Sequence, residues 1–345
     1  MSRRTLTLLL ASLLAAALAA GAAQAQVPYV ALGPGPTYNT LGEVDGQPVI
    51  VIEGRETFPT DGNLDLTTVG VQSQLTLVTA LRGWFARDLA VVPREVVYPP
   101  GRSEDEVQEQ NAELMRESQG SAVTAAARQL GLRVAEVSVA EITPGAPATG
   151  RLEVGDVLTS VDGTELRDAA ELRSLIAAKQ VGESVRIGFT RGGGADTAVI
   201  ATGESSGDGP RRPVIGVVTQ EKPIDAPFDV DITLEEVGGP SAGLMFTLGI
   251  LDKLDEPSLT AGKYIAGTGE ISADGTVGSI GGIVQKLTAA KAKGAVAFLV
   301  PAGNCAEASR RPPPELPLIR VGTLGDALAG LEALRTGLPP VLCTG

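Results

Sequence analysis

The 345-residue sequence contains no histidine. That absence removes every Ser-His-Asp triad, every Cys-His dyad and every imidazole-ligated metal site. No GxxxxGK[ST] phosphate loop occurs either, so nothing points to an intrinsic ATPase. Aromatic residues make up only 3% of the chain against 43% hydrophobic residues in all, so the cores have to be built from Val, Leu, Ile and Ala. A net charge of −13 opposes binding to a phosphate backbone, and nucleic acid is set aside as a partner. No metal site and no cofactor site can be read from the residues. Cysteine is scarce: Cys305 and Cys343 are the two present. In an oxidising compartment such a pair is expected to be bonded, the alternative being two buried thiols.

The N-terminus reads as a targeting segment. Arg3 and Arg4 precede an apolar run from Leu6 to Ala23, and Ala23-Gln24-Ala25 resembles a signal-peptidase site. Residues 1–25 are therefore a signal peptide or, uncleaved, a membrane anchor. Either form predicts an extracytoplasmic protein, secreted or periplasmic or held at the membrane.

Residues 26–120 read as a β-rich region with a connecting helix. Val49 to Ile52 and Leu64 to Val71 are strand candidates, preceded by turns at Asp45-Gly46 and Asp61-Gly62. Leu75 to Ala86 is a helix candidate with Ser73 as its cap. Glu104 to Gln119 and Ser121 to Leu130 read as charged and Ala-rich helix, a solvated connector. Residues 121–203 change pattern. Val134 to Ile142 alternates as a strand, Asp162-Gly163 is a hairpin turn, Ala169 to Lys179 is helical and Ser184 to Thr190 is a strand. Residues 204–213 are a Gly/Ser/Pro-rich linker, and residues 214–345 form the last domain, opening on a β segment at Val214 to Val218.

One segment carries chemistry. In Gly238-Gly239-Pro240-Ser241-Ala242-Gly243 a sharp turn starts a helix, because proline is tolerated at the first helical position. Ser241 is thereby placed at a helix N-terminus, where the backbone N–H groups of Ser241 and Ala242 can hold an oxyanion. The bland alternative is a simple N-cap serine, although Leu244 is not the Glu or Gln of a capping box. Without histidine, a serine nucleophile needs another base, and a buried neutral lysine is the obvious one. Lys286 lies within the apolar face set by Ile283, Leu287 and Ala290. A lysine flanking such a face can also snorkel to water.

Two families are matched by these residues. The stretch from Leu152 to Gly163, LEVGDVLTSVDG, resembles PDZ domains, which bind extended peptides by strand addition. No clear GLGF-type carboxylate loop is visible. The GGPSAG motif and the segment from Ile265 to Ala295 resemble the serine and lysine motifs of the Lon proteolytic domain, in the same order. This resemblance implies a Ser-Lys dyad of Ser241 and Lys286, with Thr268 orienting the lysine. Many Lon domains carry an acidic residue three before the serine. Gly238 stands there, with Glu235 and Glu236 as candidates for compensation. From Tyr29 to Cys343 the chain resembles the PDZ-containing, secreted or membrane-anchored Lon-like proteases, which lack the AAA+ module.

The expected fold class is thus α+β and multidomain: a β-rich N-terminal region, a PDZ-like β-sandwich or barrel with helices, and a C-terminal Lon-type proteolytic α+β domain. The expected function is ATP-independent serine endopeptidase activity on unfolded segments or tails, with the PDZ domain capturing protein or peptide substrate. A homo-oligomer follows from analogy with Lon rings. The rivals are a catalytically silent PDZ scaffold at the cell envelope and a self-processing factor.

Overall fold

A computed structural model describes residues 3–86, 88–205, 211–234 and 237–344. The chain forms two compact units, Met1–Val123 with Val230–Gly345 and, between them in sequence, Thr124–Asp229.

The first unit is built on a six-stranded sheet in the order Leu318–Val321, Ala297–Pro301, Tyr264–Gly267, Asn63–Gln72, Tyr29–Asn39, Ala90–Pro93. The first four strands run parallel, and the last two add antiparallel pairs. This corrects the expectation of a separate β-rich N-terminal region. Asn63–Gln72 pairs in parallel with Tyr264–Gly267, Leu64 opposite Ile265 and Leu66 opposite Gly267. The physical reason is burial: Leu64 and Leu66 are fully covered, and a strand covered on both faces needs partners from the whole domain.

Two helices matter most for the site. Gly243–Leu254 is buried at every position from Gly243 to Asp252 and again at Leu254, as expected for a helix apolar on all sides. Ile283–Lys293 buries Ile283, Leu287 and Ala290 and ends at Gly294 with φ 90°, a left-handed cap that glycine adopts without strain. Helix Leu77–Phe85 is capped by Thr76, not Ser73, through a reciprocal pair of bonds with Thr79. Helix Arg3–Gln24 covers most of the segment expected to be a signal peptide or anchor. Among the described residues no helix is long and apolar enough to cross a membrane.

The second unit is an antiparallel sheet in the order Gly194–Ala201, Ser184–Arg191, Val157–Val161, Ala135–Ile142, Val217–Pro223. Asp162 (φ 50°) and Gly163 (φ 88°) make the expected tight turn. Helix Ala169–Ala177, capped by Asp168, turns Leu172 and Ile176 into the core formed with Val137, Ile187 and Phe189. Buried Asp156 binds Arg191 at 2.6 Å and 2.7 Å, which holds its carboxyl below the usual range. Here too a boundary is corrected. The β segment expected to open the last domain at residue 214 leads instead into Val217–Pro223, which pairs with Ala135–Ile142 from Val217 opposite Ile142 to Pro223 opposite Ala135. Val217–Pro223 is a largely exposed edge strand, and its backbone groups on one side are satisfied by the ladder with Ala135–Ile142.

A disulfide joins Cys305 and Cys343, with Cα atoms 5.1 Å apart. It ties the tail, whose Cys343 N–H donates to the Leu318 carbonyl, along the edge strand Leu318–Val321. A 38-residue separation gives roughly 4 kcal/mol by restriction of the unfolded chain. Paired Cys305→Ser and Cys343→Ser substitutions should lower the melting temperature by roughly 10 °C in a thermal scan. An unchanged midpoint would show that the bond contributes nothing to the unit's stability.

Candidate active site

The residues Gly239-Pro240-Ser241-Ala242 form a turn that feeds directly into helix Gly243–Leu254. Gly239 sits at φ 86°, a region side chains avoid, which lets the chain reverse just before Pro240. Gly243 is required by close packing, since a Cβ there would lie 2.7 Å from Ser118 Oγ and 2.8 Å from Ile271 Cγ2. The turn is fixed from two sides. From the strand side, the Gly269 N–H and the Thr268 hydroxyl both donate to the Ser241 carbonyl, each at 2.9 Å. From helix Glu104–Gln129, the Asn111 carbonyl accepts the Gly239 N–H at 2.8 Å, and Ser118 Oγ donates to the Pro240 carbonyl at 2.9 Å.

Those last contacts correct the reading of Glu104–Gln129 as a solvated connector. Val107, Met115, Ser118 and Ala122 are buried, one face of the helix at intervals of three, four or eight residues. The pattern is present in the sequence, but the surrounding charge hides it. Asn111 also explains the glycine at position 238. A Cβ on Gly238 would lie 2.9 Å from Asn111 Cβ, so an acidic side chain has no room there. Glu235 and Glu236 lie outside the described residues.

Ser241, Thr268 and Lys286 meet. Lys286 Nζ lies 2.8 Å from Ser241 Oγ and 2.8 Å from Thr268 Oγ1. The helix Ile283–Lys293 carries Lys286 inward, with 2% of its surface exposed. Thr268 is fully buried. Its one hydroxyl proton goes to the Ser241 carbonyl, so it faces Lys286 as an acceptor. A neutral amine that gives one N–H to Thr268 is left with its lone pair free for the Ser241 hydroxyl proton. Burial pushes the Lys286 amine down to about 8, opposed by the charge of Glu270. Glu270 is half-buried on the wall of the same cavity and was not singled out in the sequence. It could have been noticed only as the carboxylate two residues after Thr268.

The cavity of about 410 Å³ opens onto Ser241 and Lys286 and is walled by Pro36, Tyr38, Val69 and Gly238. The N–H groups of Ser241 and Ala242 fall in the first turn ahead of the α-helix, where backbone donors lack helical acceptors. The arrangement can abstract a hydroxyl proton and receive developing negative charge. No group of three or more acidic or cysteine ligands occurs among the described residues.

Residues 106–202 match the PDZ domain family, and residues 235–324 match the Lon protease (S16) C-terminal proteolytic domain. Lon protease 2 of Bacillus subtilis is 37% identical over 83 residues, 23% of this chain and 15% of the relative. The magnetosome formation protease MamE of Magnetospirillum gryphiswaldense is 35% identical over 92 residues, 25% of this chain and 12% of the relative. The matches thus span a small part of those relatives' length. The PDZ domain of the SdrC-like protein from Listeria monocytogenes is 28% identical in structure-based comparison, covering 24% of this chain and 86% of that domain, with a TM-score of 0.23. The corresponding domain from Listeria innocua is 30% identical, covering 24% and 92%, with a TM-score of 0.23.

The buried amine makes a prediction about stability. Holding Lys286 at about 8 instead of the model-peptide 10.5 costs roughly 3 kcal/mol wherever the amine is protonated. The folded state binds fewer protons than the unfolded chain between those two values, so wild-type stability rises with pH across that window. Lys286→Met should therefore be more stable than wild type at neutral pH, by up to roughly 3 kcal/mol in urea denaturation. The advantage should shrink as the pH passes from about 8 towards 10.5. A variant less stable than wild type at pH 7 would contradict the desolvation argument.

Proposed function

We propose that this chain, which joins a PDZ domain to a Lon-type serine-protease domain, is an ATP-independent, extracytoplasmic endopeptidase that uses a Ser241–Lys286 dyad. The observation that carries the reading is the 2.8 Å approach of a desolvated lysine amine to a serine hydroxyl at a helix start, in a sequence without histidine.

The geometry supports this mechanism. Ser241 Oγ attacks the peptide carbonyl carbon while its proton passes to neutral Lys286 Nζ. The tetrahedral oxyanion is met by the N–H groups of Ser241 and Ala242. The Lys286 ammonium then returns the proton to the departing amine nitrogen, the C–N bond breaks, and an acyl group stays on Ser241. Water then attacks this ester with neutral Lys286 as base, the ester C–O bond breaks, and Lys286 returns the proton to Ser241 Oγ as the acid product leaves. Thr268 is the positioning residue, since its acceptor lone pair aims the amine.

ATP independence is supported by the missing phosphate loop in this sequence. Without driven unfolding, substrates are unfolded segments, tails or loops. The extracytoplasmic reading is supported by the bonded Cys305–Cys343 pair and the apolar N-terminal segment. The PDZ domain would capture substrate by strand addition.

Digestion of casein without ATP tests the reading, with Ser241→Ala and Lys286→Ala beside wild type and circular dichroism on each. Cleavage by wild type should vanish in both variants. A folded variant that cleaves as well as wild type would overturn the dyad.

The pH profile is a second test. Only the neutral amine is competent, so kcat/KM should rise with pH through about 8 and level off above it. The Glu270 charge favours the ammonium, so Glu270→Gln should move this limb to lower pH. A limb that stays put or moves to higher pH would remove Glu270 from the site's electrostatics.

A further inference from the structure

In the second unit, Val217–Pro223 ends its sheet and has one unpaired edge. Beside it a groove of about 1380 Å³ is walled by helix Ala169–Ala177 and by the turn that leads into the strand. Its floor is apolar: Leu172, Ile176 and Ile215 are buried at the base. Its rim is predominantly basic. Arg151, Arg173 and Arg212 all line the groove with exposed side chains, although the chain as a whole has a net charge of −13. Glu204, which also lines it, is held by Arg211 at 2.9 Å. Among the described residues the three rim arginines form no salt bridge.

We infer that this groove selects extended peptides that carry an acidic side chain beside an apolar one. The inference rests on the capture role proposed above and adds the substrate class. The free edge supplies backbone hydrogen bonds to any extended chain, whatever its sequence. Residues two apart on an added strand point to one face, so an apolar residue can enter the floor while the residue two positions away meets the rim. Arginine forks pair with carboxylates in two-point hydrogen bonds, which an amide of the same shape cannot match. An acidic protein gains most from such a rim, because its other surfaces repel the same peptide.

The test uses the full chain with Ser241→Ala, so that binding is read without cleavage and stands whether or not the dyad reading holds. Short fluorescein-labelled peptides end in valine and carry Glu, Gln or Lys two residues earlier. Fluorescence anisotropy should give a Kd about fivefold lower for Glu than for Gln, with Lys weakest. Raised ionic strength should narrow the gap. Arg173→Gln with Arg212→Gln should bring the Glu and Gln peptides to the same affinity. Equal affinities in the unsubstituted groove would overturn the inference. So would a preference that survives the arginine substitutions, or no binding of either peptide at millimolar concentration.

Discussion

The site depends on removing one amine from water. An exposed lysine is protonated at neutral pH and has no lone pair with which to accept a proton. The helix Ile283–Lys293 presses Lys286 into the domain with 2% exposure, which disfavours its charge and, in the proposed dyad, makes it a usable base. Glu270 opposes that effect and limits it. The result is an amine balanced near neutrality: neutral often enough to accept a proton, basic enough to hold one. Thr268 then decides the direction of the lone pair. Its hydroxyl proton is committed to the Ser241 carbonyl, so the Ser241 hydroxyl and the Lys286 amine are aligned by one side chain that touches both residues.

Burial of that kind is costly, and the surrounding structure has to be rigid enough to enforce it. The scaffold meets this in two ways. The parallel strands Asn63–Gln72, Tyr264–Gly267, Ala297–Pro301 and Leu318–Val321 place residues nearly 260 positions apart in one sheet. The disulfide and the tail it fastens cover the edge at Leu318–Val321, where fraying would start. The turn before Ser241 is clamped from helix Glu104–Gln129 and from Gly269, so the hydroxyl cannot drift while the amine stays fixed.

Much of this was legible in the sequence, and what was missed has a common cause. The GGPSAG turn, the apolar face around Lys286 and the Asp162-Gly163 hairpin are local patterns, and each formed where it was read. Pairings between distant segments are not local. The run Leu64 to Val71 reads as a strand, but nothing in it names Tyr264–Gly267 as its neighbour. The same holds for Val217–Pro223, assigned by chain order to the last domain while its ladder partner lies in the preceding one. Ser118 and Asn111 were hidden differently. They act through a hydroxyl and a backbone carbonyl in a charged helix, where composition suggests solvent.

The division into two units has a chemical consequence. Every contact described for Ser241, Thr268 and Lys286 is made by residues outside Thr124–Asp229. Every wall of the peptide groove comes from residues inside it. The proposed cleavage and the proposed strand capture therefore draw on separate sets of atoms, and changes in one set need not disturb the other. In the proposed dyad, Ser241 and Lys286 act on a backbone carbonyl, which every peptide offers. Selectivity then has to come from elsewhere. The groove with an apolar floor and an arginine rim is the proposed source of that selectivity.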